Sequence, residues 1–485
     1  MQDTKRKLLK KQMQNSNKTT LTFIADTHHY SETLGTSGEA YERRSGTDQK
    51  CLRETGAIID AALEEIKGIN PDALMIIGDI SDDGEKASHL EMIEKLNKFS
   101  EKIPVCVTLA THDWCCDGNA RRYVGDRVYH DVETVTSEEL HEMYFNFGPN
   151  MAKEEYITHL GTSSYIVEFP NDVVLFSLID DQDGEGNSGF MPEHLEWITD
   201  RIKKEADSGK LVIGMEHHLL YPHISPLITD NGTCCKKHEM YIEKFAEAGM
   251  RFLFVGHSHI QRIDKYVSPT GRELYEINVG SLVGYPAPIV TLTADENTVK
   301  IETRKLSGFT YNGEKYTSRY FEIHAQNLVG RILSSAKSSD KEFYIKDMRE
   351  YGVGRKTALK LRPVLKALAC TADKMSVKTL GKIINAVTLG TTFSNSDLDE
   401  LADKRIIDIV NEQILSVLDG ACVKHPEGSA YYNAVTGFVG LPDRAVKRLK
   451  IKDEKINRLT SSLNTAIREI LTGGDLNNET LTVKR

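Results

Sequence analysis

Short runs of apolar residues alternate with amphipathic stretches over the first part of the chain. Six runs are rich in Val, Ile, Leu and Phe, as buried strands are: Leu21–Ala25, Ala73–Ile77, Val105–Leu109, Val173–Ile179, Leu211–Met215 and Arg251–Val255. Four stretches between them have the apolar spacing of helices: Glu54–Ile66, Glu85–Phe99, Pro192–Glu205 and Lys237–Glu247. Strands that alternate with helices predict an α/β fold with a largely parallel sheet.

The pattern changes after Gly256. Asp264–Val279 and Pro288–Lys305 each have a polar turn near the centre, which predicts two antiparallel hairpins. Parallel strands followed by hairpins favour a sandwich of two sheets with helices on both outer faces, an α/β/β/α arrangement. Residues 123–158 interrupt this pattern as an insertion of mixed charge that is helical in part.

From Tyr316 to Arg485 the alternation stops and the spacing becomes mostly helical. The predicted helices are Ser318–Ser335, Thr357–Ala369, Ser376–Val387, Ser396–Leu418 and Asp443–Leu471. A chain of 485 residues is long for a single domain. We therefore predict a disordered basic tail at residues 1–18, an α/β domain at 19–315 and a mostly helical domain at 316–485.

Composition and charge narrow the range of functional classes to which the chain can belong. Hydrophobic residues make up 40% of the chain and charged residues 27%, as in globular proteins. The net charge of −10 argues against a dedicated nucleic-acid binder, although a basic patch can lie within an acidic total. No apolar run is long enough to span a bilayer or follows the basic start as in a secretory signal. The eight cysteines show no Cys-x-x-Cys spacing, so we expect a cytoplasmic protein without disulfides or structural zinc.

Carboxylates and imidazoles follow five of the predicted strands directly, at the strand ends where open α/β sheets place their sites. The five segments are Asp26-Thr27-His28, Gly78–Asp82, Thr111-His112-Asp113, Glu216-His217-His218 and Gly256–His259. A single histidine at a strand end is more often structural, but five such segments indicate one shared site. Mixed oxygen and nitrogen ligands suit two divalent metal ions such as Mn, Fe or Zn. A carboxylate such as Asp79 can bridge two cations.

The order of these motifs resembles that of the calcineurin-like metallophosphoesterases. The resemblance covers roughly Leu21–Ser307, and Leu178-Ile179-Asp180 and Ile277–Ser281 resemble the phosphodiesterase-like branch. It implies a phosphoesterase, with a phosphodiesterase favoured, in which a hydroxide bridging two metals attacks a small soluble phosphate ester.

The resemblance also implies roles for individual residues. Asp26, His28, Asp79 and His259 would hold the first metal, and Asp79, His217 and His257 the second. His112 would protonate the leaving oxygen, Asp113 would orient that imidazole, and Asp82 would support the ligands without binding metal.

One position departs from the family pattern, since Thr111 stands where the family has an asparagine ligand of the second metal. A hydroxyl is a poorer ligand than an amide carbonyl, so we expect weaker binding of that metal with activity retained.

Three further residues are weaker candidates for binding substrate. Arg43 and Arg44 lie in the polar stretch Tyr30–Lys50, and His223 follows the fourth motif. A solvated loop explains the two arginines equally well. The pairs Cys115-Cys116 and Cys234-Cys235 are interpreted as small, semi-buried residues.

The segment Tyr351–Ala358 resembles a helix-hairpin-helix turn, a motif that binds nucleic-acid backbone through glycine amides. Lys360, Arg362 and Lys366 extend its basic face, but glycine between helices is also an ordinary helix end. Nucleic acid is therefore the less favoured partner. Two alternatives stay open: a nuclease that uses the helical domain to hold its substrate, or a metal-poor, non-catalytic interaction module.

Overall fold

The structure is a computed structural model that describes residues 17–223, 233–372, 374–390, 392–420, 424–441, 443–444, 464–473 and 476–485. The predicted tail at residues 1–18 lies almost wholly outside these residues, and so does most of the predicted helix Asp443–Leu471.

The strands are named in chain order. They are β1 Thr19–Ala25, β2 Ala73–Ile77, β3 Val105–Thr108, β4 Arg122–Val124, β5 Arg127–Tyr129, β6 Glu154–Ile157, β7 Ser163–Phe169, β8 Val173–Ser177, β9 Asp181–Gln182, β10 Gly189–Phe190, β11 Leu211–Met215, β12 Phe252–Val255, β13 Arg262–Val267, β14 Glu273–Asn278, β15 Pro288–Ala294, β16 Thr298–Lys305, β17 Gly308–Tyr311, β18 Glu314–Thr317 and β19 Thr480–Lys484.

The α-helices are named in the same way. They are α1 Glu39–Thr47, α2 Thr55–Ile69, α3 Lys86–Ser100, α4 Ser137–Tyr144, α5 Pro192–Asp207, α6 His238–Ala248, α7 Arg319–Lys337, α8 Lys341–Glu350, α9 Arg355–Thr371, α10 Val377–Val387, α11 Asn395–Glu400, α12 Ile406–Leu418 and α13 Ala430–Val439, and residues 464–472 are also helical.

Two large sheets form the centre of the fold. The first has the order β19-β16-β15-β1-β2-β3, with β1, β2 and β3 parallel. The second has the order β13-β14-β12-β11-β8-β7-β6, with β8, β11, β12 and β14 parallel. The predicted hairpins are present, since β13 pairs with β14 and β15 with β16 in antiparallel register.

Alternate side chains of the strands fill three layers of core. Between the sheets, Phe23 of β1 stacks on Phe254 of β12 with their ring centroids 3.6 Å apart. The outer face of the first sheet packs on α2 and α3, and that of the second packs on α5 and α6. The predicted two-sheet α/β/β/α sandwich is confirmed.

Residues 319–472, which we call the helical region, are mostly helical as predicted. The region docks on the sandwich beside His259, where Gln261 N–H donates to the carbonyl of Leu418 at 3.0 Å. Asp419 also accepts hydrogen bonds from Tyr285 and Lys305 of the sandwich. No helix in the described ranges combines the length and apolar character that crossing a membrane requires.

Two sequence predictions differ from the structure here. The predicted helix Ser396–Leu418 is two helices, α11 and α12, because Arg405 starts a new one: its N–H donates to the Asp408 carboxylate at 2.9 Å. The region predicted to be mostly helical also contributes a strand to the sandwich, since β19 pairs antiparallel with β16. The domain boundary near residue 315 stays a prediction.

Candidate metal centre

The site lies where the ends of β1, β2, β11 and β12 meet, as parallel strands of adjacent sheets bring them together. Its residues share an uncommon backbone conformation, since five of them have a positive φ without being glycine. These are Asp26, His28, Asp79, His257 and His259. Such conformations cost of order 1–3 kcal/mol each and persist where the surrounding structure enforces them, which is typical of functional sites.

A first group of ligand atoms comes from Asp26, His28 and His259. The Nε2 atoms of His28 and His259 lie 2.9 Å apart, and the Asp26 carboxylate lies 3.5 Å from His259 Nε2. Asp26 is held in place because both of its oxygens accept a hydrogen bond from the His257 N–H. The hydroxyl of Ser281 also donates to the Asp26 carbonyl at 2.8 Å.

A second group comes from Asp79, His217 and His257. His217 Nε2 lies 3.2 Å from His257 Nδ1 and 3.2 Å from Asp79 Oδ2. The same Asp79 oxygen is 3.7 Å from Nε2 of His28, which belongs to the first group. Asp79 therefore lies between the two groups.

The donor set fits divalent cations. His28 Nδ1, Asp79 Oδ1 and His217 Nδ1 are buried and lack a hydrogen-bond partner within the described part of the chain. Buried polar atoms without a partner are costly unless an ion or water satisfies them. Carboxylate and imidazole ligands together suit Mn, Fe or Zn.

Burial sets the protonation of the imidazoles. It holds the pKa of His28 well below its usual value, and the charge of Lys50 lowers it further. The pKa of His257 is lowered by burial and by its histidine neighbours, so both rings are neutral and have a lone pair to offer a metal. Burial opposes the charged form of His217 too, but the charge of Asp79 raises its pKa to about 9.

The structure distinguishes His217 from its neighbour His218. Both the N–H and the Nδ1 of His218 lie within hydrogen-bond distance of Asp180, at 2.7 and 3.0 Å. His218 is thus held on the second sheet, while His217 faces Asp79.

His112 lies beside the two groups, with its ring centroid 5.7 Å from that of His28. Its Nδ1 is 2.9 Å from the carbonyl of Asp82 and 3.1 Å from a carboxylate oxygen of Asp83. The charge of Asp79 raises the pKa of His112 to about 10 against the effect of burial, and the contact with Asp83 raises it too. The Nδ1 side of the ring is therefore occupied by Asp82 and Asp83.

The role predicted for Asp113 is wrong. Its carboxylate accepts hydrogen bonds from the backbone N–H groups of Ile80, Ser81 and Ala110 at 2.8, 3.1 and 2.9 Å. Asp113 therefore fixes the loop that carries Asp79, whereas Asp83 takes the contact with His112. The cause is the turn Thr111–Trp114, which directs two adjacent side chains in different directions.

Asp82 is buried and does not join either ligand group. It forms ion pairs with Lys50 and Arg44. Burial alone would raise its pKa, but the charges of Lys50 and Arg44 lower it far below the usual range. Asp82 thus holds the side chains of Lys50 and Arg44 in place next to the site.

The weaker candidates lie at different distances from the centre. The stretch Tyr30–Lys50 is not a loop throughout, because Glu39–Thr47 forms α1. Arg44 of this helix reaches Asp82, but Arg43 pairs with Glu39 and points to Asp347 of α8. His223 is buried between Asp264 and Glu276 at 2.7 and 2.9 Å, in a separate polar cluster. Thr111 starts the turn that carries His112 and is partly exposed.

Sequence reasoning missed three residues next to the site: Lys50, Asp83 and Arg121. Asp83 pairs with both His112 and Arg121, the latter at 3.3 Å. The doubled acid Asp82-Asp83 was a signal for a second carboxylate. Lys50 and Arg121 lie outside the five motifs, and the spacing of residues gave no signal that they contact them.

A crowded backbone explains two glycines of the motifs. A Cβ on Gly78 would lie 2.2 Å from His217 Nδ1, and one on Gly256 would lie 2.6 Å from an Asp26 oxygen. Both positions need glycine because ligand side chains pass directly over them.

Comparison with known proteins places this geometry in a family. Residues 19–261 match the calcineurin-like phosphoesterase family. No curated protein matches the chain.

Several solved structures are similar in fold. A dimetal phosphatase from Danio rerio is 14% identical, covers 59% of this chain and 96% of its own, and has a TM-score of 0.44. A purple acid phosphatase from yellow lupin seeds is also 14% identical, over 62% of this chain and 53% of its own, with a TM-score of 0.40. A structure described as a putative 5′-nucleotidase from Staphylococcus aureus is 12% identical, over 64% of this chain and 58% of its own, with a TM-score of 0.38.

Proposed function

The chain belongs to the calcineurin-like phosphoesterase family and is thus a metal-dependent phosphoric ester hydrolase, and we propose that it is a phosphodiesterase acting on a small phosphate ester. We propose that two divalent cations, drawn from Mn, Fe and Zn, serve the reaction, held by Asp26, His28, Asp79 and His259 on one side and by Asp79, His217 and His257 on the other.

One observation carries this proposal: a single Asp79 oxygen lies between two groups of buried imidazoles and carboxylates. Two cations, when bound there, would acidify a water molecule and neutralise the charge that develops on the phosphoryl oxygens.

The protein's own groups supply the remaining steps. His112 is placed to donate a proton to the leaving oxygen, because it lies beside the two ligand groups and its contact with the Asp83 carboxylate favours the protonated ring. Asp83 holds the other ring nitrogen and so fixes the direction in which His112 points. Lys50 and Arg44 lie at the same edge of the site, where Asp82 and Asp48 hold their side chains in place.

Hydrolysis of bis-p-nitrophenyl phosphate and p-nitrophenyl phosphate after loading with manganese tests the proposal. We expect turnover that requires metal, a preference for the diester, and two metal ions per chain by elemental analysis. Asp79→Asn should abolish turnover and lower the metal content, since it weakens ligands of both groups.

The matched control is Asp264→Asn, which changes a carboxylate of the His223 cluster instead. It should leave metal content and turnover near those of the unmodified protein. A preference for the monoester would contradict the diesterase assignment. No turnover with less than one tightly bound metal per chain would favour the non-catalytic interaction module.

A further inference from the structure

The helix α1 lies between the catalytic edge of the sandwich and the helical region. It has nine residues, and its buried apolar side chains are only those of Ala40 and Tyr41. A helix this short is marginal on its own, and Gly46 near its end weakens it further. The position of α1 therefore depends on the polar contacts that it makes with its neighbours.

One face of α1 meets α7 and the α8–α9 hairpin, which consists of α8, α9 and the short turn between them. Arg43 Nε lies 3.9 Å from the Asp347 carboxylate of α8, and Lys346 Nζ lies 3.7 Å from Glu39. Asp347 is fully buried and accepts two hydrogen bonds of 3.1 Å from Arg331 of α7. Because a buried carboxylate is costly without a cationic partner, Asp347 binds α7 and α1 to each other.

Two further contacts join the end of α1 to α7. A Cβ on Gly46 would overlap the guanidinium of Arg331, which passes over this position. His324 Nε2 lies 2.9 Å from the carbonyl of Asp48, the residue that follows α1. The helical region thus contacts α1 along its whole length.

A different face of α1 meets the loop that holds His112. Arg44 forms ion pairs with Asp48 and with Asp82, the latter at 3.4 Å. Asp82 also pairs with Lys50, and its carbonyl lies 2.9 Å from His112 Nδ1. The side chain of Asp82 is therefore held from α1, while its backbone holds the ring of His112.

We propose that Asp347 of the helical region is a positioning residue for the phosphoesterase site. Through Arg43 it holds α1, and α1 in turn holds Asp82 and so the direction of the His112 ring. Asp347 lies outside both ligand groups and acts only through these contacts. The inference rests on the proposed function, in which His112 protonates the leaving oxygen. It gives the helical region a part in catalysis.

A misdirected general acid should affect different esters unequally. Protonation by His112 matters most for a poor leaving group such as phenolate, and least for p-nitrophenolate, which leaves readily without a proton. A general loss of structure would reduce the turnover of both esters together. The ratio of the two turnover rates therefore distinguishes positioning from a purely structural role.

Asp347→Asn tests the proposal in the full chain loaded with manganese. Turnover of diphenyl phosphate should fall about tenfold, whereas that of bis-p-nitrophenyl phosphate should change by less than about twofold. Hydrogen exchange of the amides in Glu39–Thr47 should become faster, because α1 is held less firmly.

Arg43→Gln tests the same contact from the side of α1. It leaves Asp347 paired with Arg331, so it provides the measurement even if Asp347→Asn does not fold. We expect the same two effects. Combining both substitutions should add little to either one, because each removes the same contact.

Asp340→Ala is the matched control in the same helix. Asp340 caps the start of α8 by accepting hydrogen bonds from the N–H groups of Glu342 and Phe343, at 2.8 and 3.2 Å. Its loss weakens α8 without removing a contact to α1. The control should keep both the ratio of the turnover rates and the exchange rates of the α1 amides.

Three results would overturn the proposal: unchanged exchange in α1, an unchanged ratio of turnover rates in both variants, or an equal change in the control. Each of these would leave the proposed phosphodiesterase intact, provided that the unmodified protein hydrolyses both esters. Absence of turnover from the unmodified protein would instead count against the phosphodiesterase, and with it against this role of Asp347.

Discussion

The metal centre and the α8–α9 hairpin are built in opposite ways. The metal centre joins residues far apart in sequence, such as Asp26 and His257, on strained and buried backbone. The hairpin is one contiguous segment whose glycines and lysines face solvent. In the first region each group is constrained by its neighbours, so most substitutions there affect folding and catalysis together. In the second, exposed side chains can be changed while the fold remains.

Two separate glycine substitutions, one in each region, test this comparison most directly. Gly78→Ala places a Cβ 2.2 Å from His217 Nδ1 at a φ of 56°, so we expect about 2–4 kcal/mol of lost stability. Displacement of His217 should also reduce turnover at least about 100-fold. Gly354→Ser should change stability by no more than about 0.5 kcal/mol. Chemical denaturation and bis-p-nitrophenyl phosphate hydrolysis measure both effects, and a fully active Gly78→Ala protein would refute the argument.

Asp83→Asn distinguishes the role of Asp83 from that of Asp113, the other acid close to His112. Loss of the carboxylate lowers the pKa of His112, and a general acid stops working above its own pKa. The alkaline limb of the pH–rate profile should therefore move to lower pH by about one unit, so that turnover falls most above the pKa of His112 and changes little at pH 8.

The comparison variant is Asp113→Asn, whose carboxylate accepts hydrogen bonds from three backbone N–H groups. It should lower the free energy of unfolding and leave the position of the alkaline limb unchanged. The opposite pattern would restore the orienting role to Asp113.

Thr111→Asn tests whether residue 111 contributes a ligand atom to the second ligand group. An amide carbonyl is a better ligand than a hydroxyl, so we expect the affinity for the second metal to rise about tenfold. Metal content after dialysis against increasing chelator measures this change, with Thr388→Asn in the helical region as the control. Unchanged retention would mean that residue 111 does not reach the metal.

Asp408→Ala should have the smallest effect and only within the helical region. The Asp408 carboxylate caps the start of α12, so its loss should cost about 1 kcal/mol of stability. Urea denaturation measures this change, and hydrolysis of the diester should stay the same. Lost hydrolysis would show that the end of α12, bonded to Gln261, controls the metal centre.

The fold could largely be predicted because its signals are local. The parallel strands that carry the site are mostly apolar, as β2 and β11 are, and the chemical segments follow such strands, as Asp26 follows β1. Parallel strands then bring those segments to one edge without any further information.

The rest depended on three-dimensional contacts. Asp83 and Asp113 are both acids near His112 in sequence, and only the direction of the turn Thr111–Trp114 assigns the contact to Asp83. Arg44 and Lys50 form ion pairs with Asp82 only in the folded structure, and the spacing of these residues in the sequence gives no sign of those contacts. The alternating residues Leu481 and Val483 were a usable sign of β19, which the helical pattern before them obscured.

The pairing of β19 with β16 has a practical consequence for dissecting the chain. A protein cut after residue 315 would lose β19 and expose the hydrogen-bonding edge of β16. Exposed edges recruit strands from other molecules, so such a fragment should aggregate even if its catalytic half is intact. The helical region is therefore an insertion in the sequence between two strands of the first sheet, β16 and β19. Excising it from within, and rejoining β18 to Thr480 through a short linker, would preserve that edge.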